Sequence, residues 1–510
     1  MPKAYKEFSS MIDPFCPIFA YQRPKGFAMR RLLILIASIS TIYNTDAQQY
    51  ITFDEAVALA FDENLSLKSA KYDIEVADYE QRAAEGLYFP SVDIIGGYIL
   101  LQHDVAIDIS GKNGMVENIA NKLINNGVSS GILTTDAAQL IGGLLSPLSS
   151  MNLSYVIQKR SLGFTAAKVT MPIYAGGKIR AANRAAKIRR SMAEQRLTSE
   201  QNHLYTTLVE QYYGVVILQY ALDVRKSVVD VMRQHLSDAK AMEDAGEIAH
   251  SVVLGVEYRL AEAERELANE SHRLYMANRL LRSTLNINYD IYPTDELFID
   301  RSILSVDYYI DNAINLNPIL AEANMGVELA SEGVKIARAN MLPEIAAMGL
   351  ASLYSPNLSE IAPRWAVGIE ANFTIFNGMA KENKLRASKA VAEGVVTQVE
   401  NARNNIRLLV ENEYYNVINA LDNIATAESA IRLADSYFHS SQDGFKAGVA
   451  TSTELMDAEI NRSASRLSYL NAVYEYCISL THLLEASGLS YTLNDYRENS
   501  IKPEYIIKSK

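Results

Sequence analysis

The side chains able to do chemistry are few in this sequence, and their spacing assembles no reaction centre. Histidines stand at 103, 203, 235, 250, 272, 439 and 482, without a His-Glu-x-x-His or similar ligand spacing. Ala175-Gly176-Gly177-Lys178 resembles a phosphate loop, but Pro172 occupies the place of its leading glycine. No serine sits in a nucleophile-elbow pattern. Cys16 and Cys477 lie far apart, which excludes a disulfide framework and a thiolate metal cluster. Cys477 reads as a small apolar residue on a helix. The chain is therefore expected to have no catalytic residue, metal or cofactor, and not to be an enzyme. Any energy for its work must come from a partner.

Charge narrows the partners. Lys and Arg number 48 against 60 Asp and Glu, a formal charge of −12. Phosphate backbones are gripped by a basic footprint, so a nucleic-acid partner is excluded. The N-terminus carries an address instead. Met29-Arg30-Arg31, the apolar run Leu32 to Ile39 and the polar start after Ala47 have the order of a secretory signal peptide. Residues 1–47 thus read as an upstream segment and signal peptide, with translation starting at Met29. Cys16 lacks the small-residue setting of a lipidation site. No other stretch approaches the roughly 18 apolar residues of a membrane helix. If this exported chain enters a membrane, it does so with strands.

The elements that must position anything functional are written twice. Gly176, Lys187, Tyr212-Tyr213 and Gly246 recur as Gly378, Lys389, Tyr414-Tyr415 and Gly448, all at an offset of 202. An earlier block recurs at 253: Asn64, Ala70, Ala77, Ala84, Pro90 and Gly96 match Asn317, Ala323, Ala330, Ala337, Pro343 and Gly349. The difference of 51 residues places an insertion in the first copy, at about 104–155. Each copy reads as helix, strand, loop, strand, long helix, turn, helix. The first repeat is assigned to 48–287, an equatorial linker to 288–304, the second repeat to 305–489 and a C-terminal tail to 490–510.

The long helices are expected at about 178–243 and 380–445, with shorter partners at about 250–286 and 452–487. Val410, Val417, Ile424, Ile431 and Phe438 recur every seven residues, with Ala420, Ala427 and Ala434 on a companion seam. Leu208, Val215, Leu222, Val229 and Leu236 repeat the pattern in the first copy. A sustained apolar heptad is the sequence form of coiled-coil packing. Each proline-free stretch makes a helix of roughly 100 Å at 1.5 Å per residue.

Strands are expected at about 91–102, 162–174, 344–354 and 364–376. In the last, Trp365, Val367, Ile369, Ala371, Phe373 and Ile375 share one face, opposite Ala366, Gly368, Glu370, Asn372 and Thr374. Apolar outside and polar or small inside suits a barrel strand with a wet lumen, into which Lys168 and Glu370 would project. A half-buried soluble sheet alternates similarly; the signal peptide and the lack of a membrane helix favour the barrel. Four strands cannot close around a pore. Three chains sharing one barrel supply twelve, which makes a homotrimer the natural closure.

These residues resemble the TolC-type outer-membrane efflux family, from Phe53 to about Leu489. The marks are Phe89-Pro90 and Leu342-Pro343, and the strand-to-helix joints Pro172-Ile173-Tyr174-Ala175-Gly176-Gly177 and Thr374-Ile375-Phe376-Asn377-Gly378. A tip turn follows, Phe445-Lys446-Ala447-Gly448 leading into Glu454-Leu455-Met456-Asp457-Ala458. The resemblance implies a mainly α fold: a shared twelve-stranded trimeric barrel in the outer membrane of a Gram-negative bacterium, running into a long periplasmic coiled-coil tunnel. It implies outer-membrane lipid around the strands, and a periplasmic adaptor with an RND- or ABC-type inner-membrane pump at the far tip. The function implied is the passive exit channel of a tripartite efflux or type I secretion system. It places gate carboxylates at Glu454 and Asp457, a tip aromatic at Phe445, and adaptor docking around the turns at Gly246 and Gly448. Ala450 stands where the family often has a basic residue, which leaves the means of closure open. The alternative is an exported periplasmic coiled-coil scaffold without a pore. The insertion reads as a folded extracellular cap or loop, and less as a plug.

Overall fold

The computed structural model describes residues 49–108, 115–149, 154–356, 358–359, 362–503 and 505. The signal peptide expected within 1–47, and Cys16, lie outside the described residues. In chain order the elements are β1 (Gln49–Ile51), α1 (Phe53–Glu63), α2 (Leu65–Gly86), β2 (Ser91–Leu100), β3 (Val105–Asp108), α3 (Met115–Ser129), α4 (Thr135–Ser149), β4 (Ser154–Gln158) and β5 (Ser161–Ala175). There follow α5 (Lys178–Asp244), α6 (His250–Leu285), β6 (Ile291–Pro293), α7 (Val306–Leu316), α8 (Pro318–Ala339), β7 (Glu344–Tyr354), β8 (Trp365–Asn372), α9 (Ala380–Lys446), α10 (Ser452–Ala486) and α11 (Leu493–Glu498).

Local chemistry explains where these begin. Thr52 and Thr451 close reciprocal capping boxes with Glu55 and Glu454, starting α1 and α10. Asn64 and Asn317, equivalent in the repeat, cap α2 and α8 by accepting two backbone N–H groups each. Both 67-residue helices are continuous. At 1.5 Å per residue each is about 100 Å long. The heptad residues Val410, Val417, Ile424, Ile431 and Phe438 are all buried, mainly where α9 packs on α10. In α5 the burial is wider, with Leu208, Val209, Tyr212, Tyr213, Val215 and Val216 all enclosed. The reason is that α5 is central, touching α2, α6, α8 and α10.

The core sits midway along these helices rather than at either end. Tyr212 donates to the Ile51 carbonyl at 2.8 Å and accepts from Thr294 and Asp295 N–H. β1 and β6 pair in parallel, so the expected linker 288–304 contributes a strand and the buried Leu297, Phe298 and Ile299. The expected tail also folds. α11 buries Leu493, and Arg497 reaches Asp54 at 2.9 Å and Asp295 at 2.7 Å while lying 4.9 Å from the Phe53 ring centre. Ile501 bridges back to Ile299. A short, sparsely apolar segment is held here by ion pairs and one leucine, which is why no periodicity announced it.

The sheet order is β2-β5-β7-β8, antiparallel throughout, with β2 and β8 at open edges. β8 ends at Asn372 rather than at 376, because its partner β7 begins opposite it at Glu344, directly after Pro343. Pro172 occupies an inner strand without breaking it. Its missing donor falls beyond the start of β2, which begins opposite Thr170, and beside a bulge against β7. The insertion folds as the β3–β4 hairpin arm carrying α3 and α4, which pack on each other.

Candidate functional site

Two regions hold the sequence-derived candidates, the sheet and the far tips of the helices. On the sheet, Lys168 stands opposite Asp93 and Leu350, and Glu370 opposite Ala346. Directly opposed residues share a face, so Lys168, Thr170, Ala346, Gly368 and Glu370 lie on one side. The other side carries Val92, Ile94, Tyr98, Val169, Trp365, Val367 and Ile369, with Val367 77% and Ile369 74% exposed. In water such a surface would be an aggregation liability; in hydrocarbon it is a solvated wall. No described helix is long and apolar enough to cross a membrane.

The joints between sheet and helices use positive φ. Gly176 has φ +58°, and a Cβ there would lie 2.8 Å from the Ala339 carbonyl oxygen and 2.9 Å from Leu342 Cβ. Glycine is needed both for the turn and for close approach to the end of α8. Gly378, at φ +70°, has open space around it. Lys178 bridges the first joint to Glu344 at 3.5 Å.

At the tips, Gly246 and Gly448 end α5 and α9 in the left-handed conformation. Each turn is closed by backbone bonds, Glu247 N–H to Met242 and Val449 N–H to Gly444, which satisfies the last carbonyls. The second hairpin then turns into α10. Glu454 and Asp457 are both exposed on its first turns. Glu454 is not free, because its carboxylate accepts from Thr451 N–H at 2.8 Å. The pair does share one helix face, and one of its two charges is also a helix cap.

Phe445 packs inward. It is half-buried against Phe438, Leu455 and Ala458, and meets the His235 ring edge-on at 5.1 Å. His235 lies on α5 and its Nε2 is 2.8 Å from Ser452 Oγ of α10, tying the two hairpins together. Burial pushes the His235 imidazole below its ordinary value. A cavity of about 320 Å³ beside them is lined by Met232, His235, Phe438, Phe445, Met456 and Glu459. Glu459 is buried, and the desolvation raises its carboxyl while Arg462, at 3.2 Å, draws it back. Arg462 also stacks over Phe438 and bonds Asp435, which Arg466 shares. Sequence reasoning missed this network; the only signal was the i, i+3 spacing of Glu459 and Arg462. No group of three or more His, Cys, Asp or Glu converges among the described residues.

The comparisons with known proteins agree with this architecture. The family model for "Outer membrane efflux protein" matches residues 309–489, the second repeat. Outer membrane protein TolC of Escherichia coli is 20% identical over 316 residues, which span 58% of this chain and 63% of that protein's length. The solved CmeC outer membrane channel of Campylobacter jejuni has a TM-score of 0.65 at 12% identity, over 88% of this chain and 89% of that one. The outer membrane protein VceC of Vibrio cholerae gives 0.64 at 14%, over 86% and 96%. At those identities the structural likeness shows the fold alone. The second repeat thus matches the outer membrane efflux protein family, and the chain, with its duplicated strand-and-long-helix unit and four-stranded open sheet, shares the fold of these solved outer membrane proteins.

Proposed function

We propose that this chain is one of three identical subunits of an outer-membrane channel. The observation that carries the reading is the sheet: four strands, two unpaired edges and a bare apolar face, mounted on helices about 100 Å long. A lipid-exposed edge leaves backbone groups unsatisfied at several kcal/mol each, so β2 of one copy must pair with β8 of another. The helices repeat the logic. α6 and α9 flank the bundle, and they expose Leu254, Tyr258, Leu408 and Leu433 where an adjoining copy would pack.

In this reading Lys168 and Glu370 line the lumen, and the tips at Gly246 and Gly448 receive a periplasmic adaptor that connects to an RND- or ABC-type pump. Glu454 and Asp457 would bring six carboxylates together at the narrow end, favouring cations. The chain conducts and the partner supplies energy. The test is single-channel conductance of the purified protein in planar bilayers, for wild type and for Glu454→Gln with Asp457→Asn. Glutamine keeps the capping bond while removing the charge. Small cation-selective currents that lose selectivity in the double variant are expected. Unchanged selectivity would remove the gate carboxylates, and no current from an inserted trimer would remove the open pore. A soluble rod on membrane fractionation would instead favour the poreless scaffold.

A further inference from the structure

The insertion has no counterpart in the second repeat, and its surface is unusual. α3 and α4 pack on each other, with Leu133 of the turn between them seated over Gly127 of α3, yet each also turns an apolar row outward. Ile132 is 82% exposed, Leu140 70% and Leu144 69%, and Leu123 and Ile119 follow. Glu117, Lys122 and Asp136 are the only charged residues between 115 and 149. A face this apolar and this uncharged requires a cover.

Its position chooses among covers. The ten residues of β2 are about the length needed to cross the hydrocarbon. β3 and β4 carry the same two chain segments about 13 Å further, at roughly 3.4 Å per residue. The helices therefore stand beyond the lipid core, which argues against acyl chains as the cover. Twelve strands about 4.8 Å apart and tilted about 40° enclose a ring of about 75 Å, a mouth near 24 Å across. A pair of packed helices is about 20 Å wide, and each 15-residue helix is about 22 Å long. Three such pairs would fit side by side on that rim, and a 15-residue helix exceeds the radius of about 12 Å. The arm is also braced on its own barrel, since Ser359 N–H of the β7–β8 loop donates to Gln158 Oε1 at 3.1 Å.

We propose that the outer rows of α3 and α4 dock on the same helices of the neighbouring copies, forming a three-fold helical cap over the extracellular mouth. This rests on the trimeric reading above. The occupant is a second copy of this chain, because near-neutral identical faces associate without charge repulsion and symmetry brings them together.

Cysteine cross-linking in outer membranes tests it. Cys477 is fully buried and silent to reagents. Treatment of Leu140→Cys with a short bis-maleimide should convert the subunit to covalent dimers on denaturing gels. Asn125→Cys, on the polar side of α3, should stay monomeric. Leu123→Cys serves if Leu140→Cys fails to assemble. A heat-modifiable trimer with no cross-link at 140 and 123 overturns the cap, as does equal cross-linking at 125. Absence of any oligomer in the wild type overturns the trimeric reading instead.

Discussion

Single residues at the joints and seams carry separable roles. Gly176 needs both a left-handed backbone and bare space against Ala339, whereas Gly378 needs only the backbone. Alanine at 176 should cost about 1–3 kcal/mol or more, and alanine at 378 less; thermal unfolding of the two variants in detergent orders them. His482 and Glu210 tie α10 to α5 at 2.7 Å. The bond to Glu210 holds the His482 imidazole above its ordinary 6.5, and the same bond holds the Glu210 carboxyl below 4.5. The raised histidine contributes fully below about 6.5, and its contribution fades as pH climbs through the folded value. The lowered carboxylate contributes fully above about 4.5 and fades as pH falls through its folded value. Both act between those limits. The melting advantage of wild type over Glu210→Gln should therefore shrink as pH is raised from about 6 to about 8.5.

Elements were legible in the sequence to the degree that they are periodic. The heptads of α9 mark its buried seam because α7, α8 and α10 all pack on it while its other side stays open. In α5 Leu222 and Leu236 are only half-buried, while Tyr212, Tyr213 and Val216 off the heptad are enclosed, since α1, α2, α6, α8 and α10 all pack on it. Ile424 and Leu433 separate the two kinds of apolar position on α9. Ile424→Ala should destabilise the subunit by about 2–5 kcal/mol, through the cavity it leaves. Leu433→Ala, at 73% exposure, should leave subunit unfolding almost unchanged and weaken the oligomer. Denaturant unfolding and native-gel mobility, measured together, read the difference. The C-terminal helix and the linker strand were not legible, because Arg497 with Asp54 and Asp295, and Tyr476 with Asp300, hold them through single polar contacts without a repeating pattern.

For the whole molecule the decisive feature is incompleteness: an open sheet and two unpartnered helix flanks ask for more copies. Membrane insertion adds a directional prediction. Ile369→Arg, on the bare apolar face, should cost about 2–4 kcal/mol if that face meets the bilayer midplane. Arginine at Gly368, on the opposite face and with open space around it, should be tolerated. The heat-modifiable fraction in outer membranes measures both, and equal tolerance would show that neither face meets lipid.

The sequence alone determined what repetition can encode. Two copies of one unit, the heptads, the alternation of Trp365 to Ala371 and the tip glycines all follow from local spacing, since period and backbone conformation are local properties. What only the tertiary structure decided was which side chains spend their polar groups on each other. His235 meets Ser452, His482 meets Glu210, and Arg497 draws the C-terminus into the equatorial core. Those outcomes depend on residues up to hundreds of positions apart meeting at hydrogen-bond distance, and no spacing in one dimension specifies such a meeting.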